Sequence, residues 1–208
     1  RGSSLEAVEA SEATAPSDAD PSYRVLPGNA GIVPPWSVNA IEKQRPVVNY
    51  FSLNLGWGKA ARLYGAELGI VGAYVTEEVA GLQGAALFAY SGGRFRGAQA
   101  SFGANIIRGD GFGAQLGAVN VATADITGLQ ASTVNYSGGD LRGLQIAAVN
   151  IAKGGVYGLQ ASSVGYAARM YGLQLGGINI AGQVAGMQVA GINIASGRVR
   201  GVQLGVIN

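Results

Sequence analysis

Along Ala185–Leu204 the large apolar residues are Met187, Val189, Ile192, Ile194, Val199, Val202 and Leu204, separated by 2, 3, 2, 5, 3 and 2 residues. A separation of two keeps neighbouring side chains on one face of a strand. A separation of three changes the face unless the chain turns a corner in between. The residues in that gap are small: Ala190-Gly191 here, and Gly176-Gly177, Ser162-Ser163 and Ala147-Ala148 in earlier copies. Small residues are what a tight corner accommodates. Each unit therefore reads as a strand such as "GLQLG", a corner, a strand such as "GINIA", and a variable third side.

The unit recurs from residue 80 onward and is foreshadowed before it. Its opening Gly falls at 65, 81, 97, 113, 128, 143, 158, 172, 186 and 201, in steps of 16, 16, 16, 15, 15, 15, 14, 14 and 15. Two residues later comes Gln83, Gln99, Gln115, Gln130, Gln145, Gln160, Gln174, Gln188 or Gln203, with Glu67 at that place in the first copy. Five residues after the Gln comes Asn120, Asn135, Asn150, Asn179, Asn193 or Asn208; Gly165 interrupts this series and Asn105 sits one residue late. Drift in length belongs in a loop, and "SGGDL", "AKGGV" and "ASGRV" supply one.

This periodicity predicts an all-β fold: a parallel β-solenoid of three-sided coils, 14–16 residues each, with apolar residues inside and the amides outside. Stacked in register at about 4.8 Å, each Gln or Asn then bonds to the same amide in the coils above and below. An inward Asn bonded to the backbone at a corner also fits the pattern. With this orientation Leu144→Asp unfolds the array by burying a charge, whereas Gln145→Ala removes one exposed bond and costs about 1 kcal/mol. The alternative is an antiparallel transmembrane β-barrel with one strand per unit. It would need a bulge in every strand to absorb the change of face, and it lacks long extracellular loops.

Three regions follow. Residues 1–46 are acidic, Ala/Ser-rich and carry Pro16, Pro21, Pro27, Pro34 and Pro35. They predict a short helix over Leu5–Ala13 and then an extended arm without regular structure, draped on the folded part through Tyr23, Val25, Ile32, Val33 and Trp36. Residues 47–79 are lead-in strands with a turn at Gly56–Lys59, where Trp57 is expected to pack; residues 80–208 are the array proper.

Composition narrows the chemistry. Gly is 35 of 208 residues without a Gly-X-Y period, and there is no Cys and no His. Disulfides, thiolate nucleophiles, the usual catalytic triads and most zinc sites are thereby excluded. Glu77 and Glu78 are adjacent, so a strand points them to opposite faces; Glu67 and Asp110 have no partner in the pattern. The Gly-x-Gly of "GDGFGAQLG" lies inside the repeat with no helix after it, unlike a phosphate loop. No enzyme activity, cofactor or metal is predicted. Residues 80–208 carry eight basic side chains against three acidic ones, one or so per unit and without aromatic interleaving. They predict a solvated rim rather than a nucleic-acid surface. No apolar run is long enough for a membrane-spanning helix.

The units "GLQIAAVNIAKGGVY" and "GMQVAGINIASGRVR", and the lead-in "VNYFSLNLGWGKAARLYGAELG", resemble the Gly-x-Gln…Val-Asn repeats of bacterial surface-repeat proteins over residues 46–208. That resemblance implies an exported envelope protein with no catalytic role. The five-residue beat is also similar to pentapeptide-repeat solenoids, whose acidic DNA-mimicking surface this basic array lacks. The expected function is a structural or adhesive element of the cell surface or outer membrane, self-associating through uncapped coil ends into a fibre. The alternatives are an outer-membrane barrel and a binding module attached to an upstream domain. Envelope or surface partners are expectations of the same resemblance, and the pattern leaves membrane contact undecided; an export signal would precede Arg1.

Overall fold

A computed structural model describes residues 22–33, 36–37 and 45–208. The predicted helix at Leu5–Ala13 lies outside these residues. Among the described residues every regular element is a strand. The strands pair parallel, coil on coil, and the one antiparallel pairing is at the N-terminal end. The chain is a β-solenoid. A membrane barrel of antiparallel strands is not formed, because each strand bonds to its repeat equivalents about 15 residues away rather than to its neighbours in sequence.

Each coil has two flat sides. Side A is built from β4 (Val47–Asn54), the second half of β5 (Trp57–Gly69) and of β6 (Gly72–Ala85), β8 (Arg94–Ser101), β10 (Gly111–Leu116), β12 (Ile126–Ala131), successive stretches of β14 (Leu141–Ala195) and β15 (Val199–Leu204). Side B takes the first parts of β5 and β6, then β7 (Phe88–Ser91), β9 (Ala104–Ile107), β11 (Val119–Ala122), β13 (Val134–Ser137) and the intervening parts of β14. The third side is extended in the first two coils, turn-like in the coils between Ser91 and Leu141, and extended again along β14. Register is strict: Gly113 pairs with Gly97 and Gly128, and Gln115 with Gln99 and Gln130.

The ten opening glycines are the ten residues with positive φ among the described residues, from 133° to 157°. From Gly81 onward a Cβ on any of them would overlap the carbonyl oxygen of the glycine one coil before it; on Gly65 it would overlap that of Tyr50. Glycine recurs there because the backbone itself occupies the space a side chain would need.

The changes in repeat length fall in two places. In the first coils the A/B corner has three residues, Gly69–Val71, Ala85–Leu87 and Ser101–Gly103, so Asn105 comes late in sequence yet pairs in register with Asn120. Later corners have the predicted two residues. The later shortening from 15 to 14 residues lies on the third side, where Ala152–Val156 is followed one coil on by Ala167–Met170.

Two expectations are corrected. The prolines do not keep the whole N-terminal arm irregular: β1 (Arg24–Leu26) and β2 (Asn29–Val33) pair parallel with β4 on either side of Pro27 and add a partial coil, and β3 (Trp36–Ser37) runs antiparallel to β2. Pro27 sits in the gap between the strands, where no ladder N–H is required. Tyr23 anchors this segment: its hydroxyl donates to Glu77 at 2.8 Å and the Arg62 guanidinium lies 4.2 Å over its ring.

The orientation of the two strands is the reverse of that expected. Gln83, Gln99, Gln115, Gln130, Gln145, Gln160, Gln174 and Gln188 are buried, as are Asn105, Asn120, Asn135, Asn150, Asn179 and Asn193. The aliphatics beside them point out, as Leu82, Leu116, Ile146 and Ile194 do. Trp57 is 47% exposed, with an edge contact to Phe88 as its ring partner. The apolar core lies at the other end of the coil, next to the third side: Leu63, Val79, Phe95, Ile126, Leu141, Val156, Met170 and Val184 facing Val75, Ile107, Ala122, Ala152, Ala167 and Ala181.

Candidate functional site: two amide ladders and the surface around them

The Gln ladder is continuous. Gln99 Nε2 donates to Gln83 Oε1 at 2.8 Å, and the same bond repeats up the axis, at 2.8 Å for Gln130, Gln145 being 2.9 Å and Gln188 and Gln203 2.7 Å. Every donor points toward the N-terminal coil. The first member need only accept, and it is a carboxyl: Gln83 Nε2 donates to Glu67 Oε2 at 3.3 Å. A carboxyl, with no N–H to direct along the ladder, suits that end, where the preceding coil has Ser52 and no amide oxygen to be met.

The Asn ladder runs the opposite way. Asn105 Nδ2 donates to Asn120 Oδ1 at 2.9 Å, and Asn120 and Asn135 each donate one coil further on at 3.0 Å. Asn179 donates to Asn193 at 3.2 Å and Asn193 to Asn208 at 2.8 Å. The same Nδ2 groups reach two backbone carbonyls, as Asn120 does to Gln115 and Ala131, both at 3.0 Å. The inward Asn bonded to the backbone is therefore realised together with the ladder. One hydrogen of each Asn is aimed at a carbonyl of the next coil, which fixes the polarity of the series.

Unpaired atoms mark the interruptions. Asn105 Oδ1 has no bond partner, and the preceding coil has Ala89 at that position. At Gly165 the ladder is broken: Asn179 Oδ1 and Ser162 Oγ are buried without partners, and Asn150 donates to Gln145 and Ala161 carbonyls alone. In the coil of Gln130 the equivalent Ser132 donates to Asn135 Oδ1 at 2.7 Å. Gly165→Asn should supply the same bond to Ser162 and join Asn150 to Asn179. A Cβ there would lie 2.8–3.0 Å from Ser162 Oγ, Gln160 Oε1 and Gln174 Nε2, all ends of side chains that can shift. The expected result is a gain of about 1 kcal/mol in urea unfolding; a loss would mean that those ends are held.

Glu67 is fully buried and its Oε1 has no partner among the described residues. Loss of solvation pushes its carboxyl up from 4.5 to about 7, against the opposing bond from Gln83. The folded chain thus keeps a proton that the unfolded chain releases above pH 4.5. Stability is full below that pH, falls by about 3 kcal/mol as pH rises toward 7, and stays low above it. Urea midpoints between pH 4.5 and 8 should show this slope, and Glu67→Gln should flatten it and raise the midpoint at pH 8. An unchanged slope would place the titrating group elsewhere. Glu77 lies apart from Glu67, bonded to Arg62 at 2.9 Å, and Glu78 accepts from Tyr64 at 3.1 Å. Among the described residues no three acidic groups gather to hold a metal ion.

The outer surface is sorted by chemistry. On side A the residues flanking each ladder Gln are apolar or Gly: Leu82/Gly84, Ala114/Leu116, Leu144/Ile146, Leu173/Leu175 and Val202/Leu204 among them. On side B the outward positions run Phe88, Ala104, Val119, Val134 and Val149 in one column and Tyr90, Ile106, Val121, Tyr136 and Ile151 in the next. The charged residues of 47–208, Glu67 apart, occupy the third side or the two columns that border it. There Asp125 and Asp140 are shared with Arg142 at 3.5 and 3.6 Å, and Asp140 with Arg169 at 3.3 Å. Arg94, Arg96, Arg108, Lys153, Arg198 and Arg200 make no ion pair among the described residues. Asp110 is exposed on this side. The expected solvated basic rim is thus one edge of the coil, not its whole circumference.

No family model, no curated protein and no solved structure matches the chain. The stacked coils are of the kind seen in pentapeptide-repeat solenoids.

Proposed function

We propose that the chain is a non-enzymatic structural element of the bacterial cell surface, a stiff β-solenoid rod that acts through its flat sides. The observation that supports this most is the unbroken amide ladder from Glu67 to Gln203, which ties every coil to the next inside the stack. Its hydrogen-bonding groups are spent on coil-to-coil bonds, and of the surface depressions one, beside Phe102 and Leu116, is lined by small or apolar groups while two others are lined by Arg198 and Arg200 and by Arg45 and Lys59, none of them with a carboxylate. The resemblance of the repeats to surface-repeat proteins supports the location. Stacking of rods end to end meets an obstacle at the N-terminal end, where β1–β3 cover the coil of β4.

Small-angle scattering of the full chain over a concentration series tests the reading. A rod is expected, with the stretch from Gly65 to Gly201 contributing about 43 Å of length. A compact globular profile would end the proposal, and lengthening with concentration would add the fibre. Antibody labelling of intact cells tests the location: signal only after permeabilisation would remove the cell surface from it.

A further inference from the structure

The two outward faces are not separate patches. Sides A and B converge on the A/B corner, so the apolar columns nearest that corner form one continuous wedge. Its ridge is most exposed in the wide corners, where Ile70 is 58%, Leu87 61% and Phe102 88% accessible. Later corners are Gly, Ala, Ser, Thr or Val and carry no charge. Over the ten coils the two outward columns beside the Gln ladder, the corner and the first outward column of side B together form a largely uncharged, mostly apolar strip about 43 Å long and about 20 Å wide. An ordinary soluble monomer exposes patches of roughly 300–600 Å²; this strip exceeds that.

Tyrosine and charge are placed with respect to the same ridge. From residue 57 onward every tyrosine lies in a column bordering the third side: Tyr64, Tyr157 and Tyr171 on side A, Tyr74, Tyr90, Tyr136 and Tyr166 on side B. Tyr157 stacks on Tyr171 at 4.7 Å and Tyr74 on Tyr90 at 4.4 Å. Arg142 and Lys153 lie over the rings of Tyr157 and Tyr166. Across the coil the order is apolar ridge, apolar faces, tyrosine belt, basic edge. That is the order of a bilayer from its hydrocarbon to its headgroups.

We infer that the solenoid lies in one leaflet of an anionic lipid membrane, its axis in the membrane plane and its A/B corner buried. This inference names the partner of the rod proposed above, and the rod would survive its failure. Two features favour lipid over a second copy of the chain. A flat partner covers one side of a wedge and leaves the other wet, whereas a fluid bilayer covers both at once. The excess of unpaired basic groups on the opposite edge calls for anionic groups there, which anionic headgroups supply and a second copy with the same basic edge does not. Within the stack the N–H and C=O groups of both faces bond along the axis to adjacent coils, as a hydrocarbon environment requires.

The test is flotation of the full chain with vesicles of phosphatidylcholine containing one quarter phosphatidylglycerol, and with phosphatidylcholine alone. Trp36→Phe leaves Trp57, on side B, as the reporter. The chain should float with the anionic vesicles and shift Trp57 emission to the blue. Phe102→Asp and Leu144→Asp, both outward, should stay folded by circular dichroism and each lower partitioning at least about tenfold. A folded monomer that remains in solution with both vesicle types overturns the inference. So does a soluble dimer that already shields Trp57, which would assign the faces to a second copy. Flotation abolished by salt with no shift of Trp57 would reduce the contact to adsorption by the basic edge and overturn the wedge.

Discussion

Gln145→Ala should be among the most damaging single substitutions in this chain, with a loss of about 3–5 kcal/mol. Three costs arise at one site. Gln130 Oε1 loses the donor it has at 2.9 Å, and Gln160 Nε2 loses the acceptor it has at 2.8 Å. Both are fully buried, so water cannot replace the missing partner without a cavity to enter. The removed side chain also leaves a void between two coils that are held at fixed spacing by their backbones and cannot close over it. Gln145→Glu should fare little better once its carboxyl ionises: the carboxylate accepts from Gln160 but has nothing to donate to Gln130. Glu67 escapes that penalty because the coil before it has Ser52 at the paired position, where no amide oxygen waits for a donor. Leu144→Asp is the control, and its effect should be small on folding because Leu144 points out of the coil. Urea unfolding of the three variants checks the set. Equal losses for Leu144→Asp and Gln145→Ala would mean that the strand is not oriented as described.

That contrast inverts what hydrophobicity alone suggests, and it shows where the sequence is legible. The coil length, the corners at Ala147-Ala148 and Ser162-Ser163, and the positions of both amide series follow from spacing, because side-chain period and corner size are local properties. The facing of the strands is not local. Leu144 and Ile146 alternate with Gln145, and either set satisfies a period of two; the rule that apolar residues go inside then selects the wrong one. The interior apolar residues Leu141 and Val156 stand at the edge of "SGGDL" and "AKGGV", which read as loops. A usable signal was nevertheless present inside the repeat. Gln, Asn and the small residue two places after Asn (Ala122, Ser137, Ala152, Ala181) recur almost unchanged, while the flanks vary as Leu129, Leu144, Met187 and Val202. A packed interior of stacked identical coils tolerates less variation than a surface, so the constant positions are the inward ones. The N-terminal strands β1 and β2 were hidden for another reason: Pro27 breaks the pattern between them, and each is too short to show a period.

Gly128→Ala should unfold the array or come close to it, at a cost of about 4 kcal/mol or more. Gly128 has φ of 135°, a conformation that costs an L-residue about 1–3 kcal/mol wherever it occurs. The added Cβ would also overlap the carbonyl oxygen of Gly113, and the Gly113 backbone is itself hydrogen-bonded in the ladder of β10 with β12. Relief would require the two coils to part, breaking the in-register bonds of Gln130 with Gln115 on the same strands. The effect is therefore steric and cooperative, not a matter of lost glycine flexibility in the unfolded chain, which would favour alanine. Gly191→Ala separates the two. Gly191 lies in an A/B corner without a positive φ, and a Cβ there comes no nearer than 3.3 Å, to the Gly177 carbonyl. Its substitution should be within about 0.5 kcal/mol of neutral. Thermal melts of both variants decide the matter. Comparable melting temperatures would show that adjacent coils can separate locally at side A, and the glycine column would then be a consequence of the repeat rather than the condition for stacking it.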